Sequence, residues 1–147
     1  MIVRLSLCPS LKMAVTVKRK AHFNAAHRLF RKDWSDERNF EVFGKCSYPN
    51  YHGHNYEVEV AVTGPIEKET GFVIDLNKLK KIIVDNVEEP FDHRNFNMDV
   101  PEFADLNPTA ENIAIVIYNR LRPHIKSELD LSIELHETAR NIVTYSG

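Results

Sequence analysis

Two histidines separated by one residue, His52-Gly53-His54, are the sharpest chemical signal in this chain. On an extended backbone, residues i and i+2 project from one face with Cα atoms roughly 6.6 Å apart. Both imidazoles can therefore converge on one metal ion, and Gly53 leaves the opposite face bare between them. A third ligand is available from His22 or His27, the two ends of His22-Phe23-Asn24-Ala25-Ala26-His27, and spacing does not choose between them. Three neutral histidines leave a zinc ion an open fourth position, the arrangement of a catalytic site. The competing readings are a packing pair of histidines on a strand, and a closed site in which Cys46 supplies the fourth ligand.

Other chemistry lies nearby in the chain. Cys46 sits in the turn-rich Gly44-Lys45-Cys46-Ser47-Tyr48-Pro49-Asn50. Beside Lys45 its thiol could have a lowered pKa and act as nucleophile or base; the alternative is an inert, half-buried thiol. Asp92-His93 follows Pro90-Phe91. An acid beside a histidine can hold its tautomer, although adjacent side chains often point apart, and a capping or turn pair is the plainer reading. Glu137 shares the parity of Leu131, Ile133 and Leu135, so a carboxylate ends an apolar stripe. Buried there it needs a proton or donors, and a flat ligand with two N–H groups in a fork would suit it. Alternatively the strand ends at Leu135 and Glu137 is solvated. His136 points to the other face and, like His124 after Pro123, reads as structural.

The elements that must position these residues follow from hydrophobic periodicity. Val15 to Phe23 reads as a first strand, with His27 just beyond it, and a polar stretch runs from Arg31 to Asn39. Tyr56 to Thr63 is the clearest strand, and its apolar parity extends back through His54 and His52. Asp75 is a suitable N-cap for a helix to about Glu88, with Leu76, Leu79, Ile82, Ile83 and Val87 on one side. A second helix opens at Asn107-Pro108-Thr109, carries Glu111 in its first turn and stops at Pro123. Strands over Leu131–His136 and Asn141–Tyr145 close the chain. The order β-β-α-α-β-β predicts an α+β fold: a four-stranded antiparallel sheet with two helices on one face. Its other face and both edges would be left for neighbouring copies to close.

Composition bounds the rest. The chain has 147 residues, 43% hydrophobic and 27% charged, which suits one globular domain and excludes disorder. A net charge of -2 gives no global basic field for nucleic acid or an anionic membrane. Two cysteines build no disulfide framework, which points to a reducing compartment such as the cytoplasm. The apolar run in residues 1–12 falls far short of the roughly 18 residues of a membrane span. Those residues are expected to form a loose extension, containing Cys8, ahead of a single domain over 13–147.

Six segments in register give the chain a family likeness. They are Phe23-Asn24-Ala25-Ala26-His27-Arg28-Leu29, Cys46 with His52-Gly53-His54-Asn55-Tyr56, and Gly71-Phe72-Val73-Ile74-Asp75, followed by Phe91-Asp92-His93, Pro108-Thr109-Ala110-Glu111-Asn112 and Glu137-Thr138. Together, from about Val15 to Gly147, they resemble the 6-pyruvoyl-tetrahydropterin synthase family, which includes the 6-carboxy-tetrahydropterin synthases of queuosine biosynthesis. The resemblance implies the tunnelling fold (T-fold), in which sheets join into a barrel, as a homohexamer made of two trimers. It implies His27, His52 and His54 as ligands of a catalytic Zn2+. Cys46 becomes the general base, with Asp92 and His93 reaching it from a neighbouring subunit. Glu137 would anchor the pterin's 2-amino and ring N–H edge, assisted by Glu111 and Thr109; Ala110 stands where the family often has threonine.

The implied reaction starts from 7,8-dihydroneopterin triphosphate. A zinc-dependent lyase acidifies the side-chain hydroxyls and neighbouring C–H bonds, moves protons through a thiolate or imidazole, and eliminates triphosphate. The triphosphate needs cations, for which Arg28 and Lys45 are candidates. The five residues between Cys46 and His52 resemble the synthases that yield 6-pyruvoyl-5,6,7,8-tetrahydropterin; many queuosine-pathway members have three. The alternatives are a 6-carboxy product with release of acetaldehyde, and a pterin-binding or structural zinc protein without catalysis, which the intact Cys46, Asp92 and His93 argue against.

Overall fold

A computed structural model describes residues 13–147; the expected extension over 1–12, with Cys8, lies outside the described residues. Strand β1 (Val15–His27) pairs antiparallel with β2 (His52–Gly64) along its whole length, from Val15 opposite Gly64 to His27 opposite His52. Strand β4 (Asp130–His136) joins the other edge of β2, and β5 (Ile142–Ser146) pairs with β4. A two-residue strand, β3 (Arg94–Asn95), runs parallel to β1 at Ala25 and Ala26, giving the order β3-β1-β2-β4-β5.

The helices lie on one face, as predicted. Helix α2 (Leu76–Ile83) starts at Asp75, whose carboxylate accepts from the Asn77 and Lys78 amides, and continues through a π turn (Val84–Glu88) into α3 (Glu89–Phe91). Helix α5 (Ala110–Leu121) starts at the Thr109 cap and ends where Pro123 enters a 3-10 turn. Leu79, Ile83, Val87, Ile113, Ile117 and Leu121 pack against Val58, Val60, Val62, Ile133 and Leu135 of the sheet. The opposite sheet face carries Lys18, Lys20, His22, Glu57, Glu59, Glu134 and His136. Its ion pairs, such as Lys18 with Glu59 at 2.7 Å, leave it hydrated and free of helices.

The structure departs from the sequence reading at four places. Helix α1 (Asp36–Phe43) replaces part of the expected polar loop; Ser35 caps it, Asp36 and Glu37 favour its first turn, and its single buried residue, Asn39, left no apolar stripe to read. Strand β1 continues to His27 because Ala21, Phe23, Ala25 and His27 keep one buried parity. Strand β2 likewise begins at His52, so both histidines of the pair are ladder residues. The sheet has a fifth strand, β3, too short for a periodic signal, followed by α4 (Phe96–Asp99).

Candidate active site

Three ligand-bearing side chains meet at one end of the β1–β2 ladder. His27 and His52 are direct cross-strand partners and His54 faces Ala25, so strand pairing alone brings the rings together. The Nε2 atoms of His27 and His52 lie 3.0 Å apart, and those of His27 and His54 3.2 Å. His22, two and a half strand repeats away on the opposite parity, points to the helix-free face; His27 is the third member.

The environment fixes the tautomer of His27. Its Nδ1–H donates to the Pro108 carbonyl at 2.8 Å, which leaves Nε2 as a lone pair facing His52 and His54. The Tyr56 hydroxyl lies 3.4 Å from the same Nδ1. His27 is 1% exposed; burial, with the neighbouring imidazoles, pushes its pKa down to about 4, so it stays neutral at physiological pH. Burial also lowers the His54 pKa, against the opposing pull of Glu137. Three imidazole nitrogens converging on one point, with the buried ring held from behind by the Pro108 carbonyl, are the donor set a divalent metal takes. The cluster fits a metal: all three ligand atoms lie within 4.8 Å of one another.

Rigid apolar packing supports these rings from below. Tyr56 stacks on Phe23 with centroids 5.1 Å apart, and Phe91, Phe96 and Phe103 extend the cluster edge to face. Each such pair is worth about 0.5–1.5 kcal/mol beyond its buried area. The strand ends carrying the imidazoles therefore rest on a well-packed floor.

Glu137 completes the same face. It follows the last residue of β4, and its backbone N–H donates to the Asn141 carbonyl, so its side chain keeps the parity of Leu135. Its Oε1 lies 3.7 Å from His27 Nε2 and 3.9 Å from His54 Nε2, largely shielded from solvent. The solvated alternative is thus set aside. Cys46 lies in a 3-10 turn (Gly44–Ser47), half-buried. Burial first, and the Glu137 charge second, push its thiol pKa up, opposite to the lowering suggested by neighbouring Lys45.

Asp92 and His93 do pair, contrary to the expectation for adjacent residues. His93 adopts φ 58°, which swings its ring back so that Nδ1–H donates to Asp92 Oδ2 at 2.8 Å. The Asn24 N–H donates to Asp92 Oδ1 at 2.8 Å and the His93 N–H to the Asn24 carbonyl at 2.7 Å. These contacts hold the Asp92 carboxyl below the usual carboxylate range, chiefly through the Asn24 amide. Both side chains are exposed at the β1 edge, and neither hydrogen-bonds Cys46. A cleft of about 480 Å3 there is lined by Asn24, Gly53, His54, His93 and Asn95.

Thr109 and Glu111 sit on the helix end next to Pro108. The Thr109 hydroxyl accepts from the Asn112 N–H at 3.3 Å and so is engaged as a helix cap; Glu111 is exposed, without a hydrogen bond among the described residues. Sequence reasoning missed Pro108, whose contribution is a backbone carbonyl, and the buried Tyr56 hydroxyl. It also missed Asn97, which clamps the backbone of Arg28. A concavity of about 980 Å3 between Tyr118, Arg122 and Ser132 lies at the other end of the sheet, away from these groups.

The chain matches the model of a family described as 6-pyruvoyl tetrahydropterin synthase over residues 16–147. It is 47% identical to the 6-pyruvoyl tetrahydrobiopterin synthase of Pongo abelii, over 89% of this chain and 90% of that relative. Its identity to the Homo sapiens protein of the same name is 45%, with the same coverage. Among solved structures, that of the Caenorhabditis elegans 6-pyruvoyl tetrahydropterin synthase superposes with a TM-score of 0.86 at 40% identity, covering 92% of this chain and 96% of that one. The match extends from the first strand past Glu137, through every segment that builds the histidine cluster and its surroundings, and the chain belongs to the 6-pyruvoyl tetrahydropterin synthase family.

Proposed function

We propose that this protein is a zinc-dependent lyase that converts 7,8-dihydroneopterin triphosphate to 6-pyruvoyl-5,6,7,8-tetrahydropterin and triphosphate. The observation that carries the reading is the convergence of three imidazoles with a carboxylate on one sheet face, beside a thiol, in a member of this family. His27, His52 and His54 hold the metal, for which zinc is the best match to an all-nitrogen set with an open position. Held by these three residues, zinc would supply Lewis acidity toward the substrate's side-chain hydroxyls.

The chain's own residues do the rest. Glu137 accepts the 2-amino and ring N–H donors of the pterin, which fixes the side chain's direction relative to the three imidazoles. Cys46 takes the proton from the side-chain carbon and returns it. His93, its tautomer set by Asp92, exchanges protons at Nε2. Thr109 and Glu111 assist pterin binding at the start of α5. Asp92 and His93 reach the Cys46 of a neighbouring copy, so the active unit is an oligomer, with a hexamer of two trimers as the expected form. The edge of β5, the length of β1 that the two-residue β3 leaves uncovered, the polar helix-free face and the exposed Asp92–His93 pair support that assembly. Residues 13–147 act as one domain, and the cytoplasm is the proposed location; no helix among the described residues is long and apolar enough to cross a membrane.

Incubation of the purified protein with dihydroneopterin triphosphate, with products identified by mass, tests the reading. Formation of the 6-pyruvoyl product with triphosphate is expected. A 6-carboxy product with acetaldehyde would assign the queuosine-type reaction, and no turnover by protein carrying its metal would leave a binding protein. Metal analysis should find about one zinc per chain; full activity without metal would overturn the mechanism.

A further inference from the structure

The turn that carries Cys46 follows α1 directly, with the Gly44 N–H donating to the Phe40 carbonyl and the Tyr48 N–H to the Lys45 carbonyl at 3.2 Å. It opens on Gly44 at φ 56°, and no side chain caps it; Ser47 closes it internally by donating its hydroxyl to the Gly44 carbonyl at 2.7 Å. Two further anchors come from across the fold, from the two residues that follow His27. The Leu29 N–H donates to the Cys46 carbonyl at 2.9 Å, and the Arg28 Nε–H donates to the Ser47 carbonyl at 2.7 Å.

Arg28 is itself immobilised on three sides. The Asn97 carboxamide closes on its backbone, accepting from the Arg28 N–H at 2.8 Å and donating to the Arg28 carbonyl at 3.0 Å. The guanidinium lies over the Phe30 ring, 4.0 Å from the centroid, which fixes its plane. We propose that Arg28 is a positioning residue that holds the Cys46 turn in register with the His27–His52–His54 cluster. This rests on the reading of Cys46 as the group that moves the substrate's proton. The guanidinium acts here through its shape, a planar donor edge stacked on a ring, and charge alone does not supply that.

Arg28→Lys separates the two, because it keeps the charge and loses both the stacked plane and the Nε–H. Relative to wild type, kcat is expected to fall about tenfold or more, as for a small displacement of a reacting group, with KM within about threefold and metal content unchanged. Alkylation of Cys46 by iodoacetamide at one fixed pH is expected to change several-fold. Phe30→Leu, which removes only the ring face, should move both readouts in the same direction by less, and it carries the test if Arg28→Lys fails to fold. Wild-type kcat and thiol reactivity in these variants would overturn the proposal. So would a loss confined to KM with unchanged thiol reactivity, which would make Arg28 a substrate-binding cation. Absence of turnover in wild type would instead reject the reaction assigned above, and the alkylation rates would still decide the role of Arg28.

Discussion

Gly53→Ala tests how closely the ladder geometry is coupled to the metal cluster. Gly53 lies between two proposed ligands on β2 and faces Ala26 on β1. A Cβ built there meets the Ala25 carbonyl oxygen at 3.0 Å and the Ala26 Cα at 3.5 Å. Both are backbone atoms of a paired strand, so neither can rotate aside, and one strand must yield by a few tenths of an ångström. Overpacking of this kind costs about 1–3 kcal/mol. Stiffening of the unfolded chain by alanine returns about 0.4–1 kcal/mol. The net loss of about 1–2 kcal/mol should lower the melting temperature by roughly 3–8 °C in a domain of this size. Whichever strand yields carries proposed ligands, His27 on β1 or His52 and His54 on β2, so zinc affinity should fall about 10–100-fold, the range for disturbed ligand support. Melting curves at matched protomer concentration and competition with a chromophoric zinc chelator measure the two effects. Wild-type affinity together with a lowered melting temperature would refute the coupling, and wild-type values for both would refute the steric argument itself.

Three further outcomes follow from the site. Cys46→Ala should abolish turnover while zinc content stays at the wild-type level; unchanged turnover would remove Cys46 from the mechanism. Glu137→Gln removes a charge that raises the Cys46 pKa, so alkylation of the metal-free variant at neutral pH should be faster than in wild type, and a slower rate would contradict the assigned electrostatics. Asp92 has a folded pKa below its unfolded value. Its charge therefore contributes stability above the ordinary carboxylate range, and that stability is lost as pH falls through the folded pKa. The stability gap between wild type and Asp92→Asn should accordingly be present at neutral pH and close in acid; a gap independent of pH would exclude this linkage.

Much of the site was legible because strand parity is a two-state code. His52, His54, Tyr56 and Val58 of β2 share one sheet face with their partners Phe23, Ala25 and His27 of β1. Extending the first strand by four residues is enough to prefer His27 over His22. What parity does not encode was missed. Pro108 acts through a carbonyl, which every residue possesses. The Asp92–His93 bond needs a left-handed backbone at a non-glycine residue, a conformation that residue types alone disfavour. Helix α1 is held by the Asn39 carboxamide, which accepts from the Arg31 N–H and donates to the Arg31 and Trp34 carbonyls, so hydrogen bonds replaced the apolar stripe that would have revealed it.

The position of Glu137 depends on the same code at longer range. It reaches the imidazoles only because Glu57 pairs with His136 and Val58 with Leu135; a slip of one residue would turn its carboxylate to the helix-free face. That register is held by Val58, Val60 and Val62 opposite Leu135, Ile133 and Leu131, six side chains almost fully removed from water. At about 1.5–3 kcal/mol for each buried aliphatic chain, a slip that exposed them would cost about as much as the whole stability of a typical domain. The apolar stripe of β2 and β4 therefore fixes the distance between the carboxylate and the histidine cluster, although none of its residues carries chemistry. Substitutions in that stripe that preserve volume should leave the site intact, whereas polar substitutions there should remove Glu137 from the cluster along with the fold.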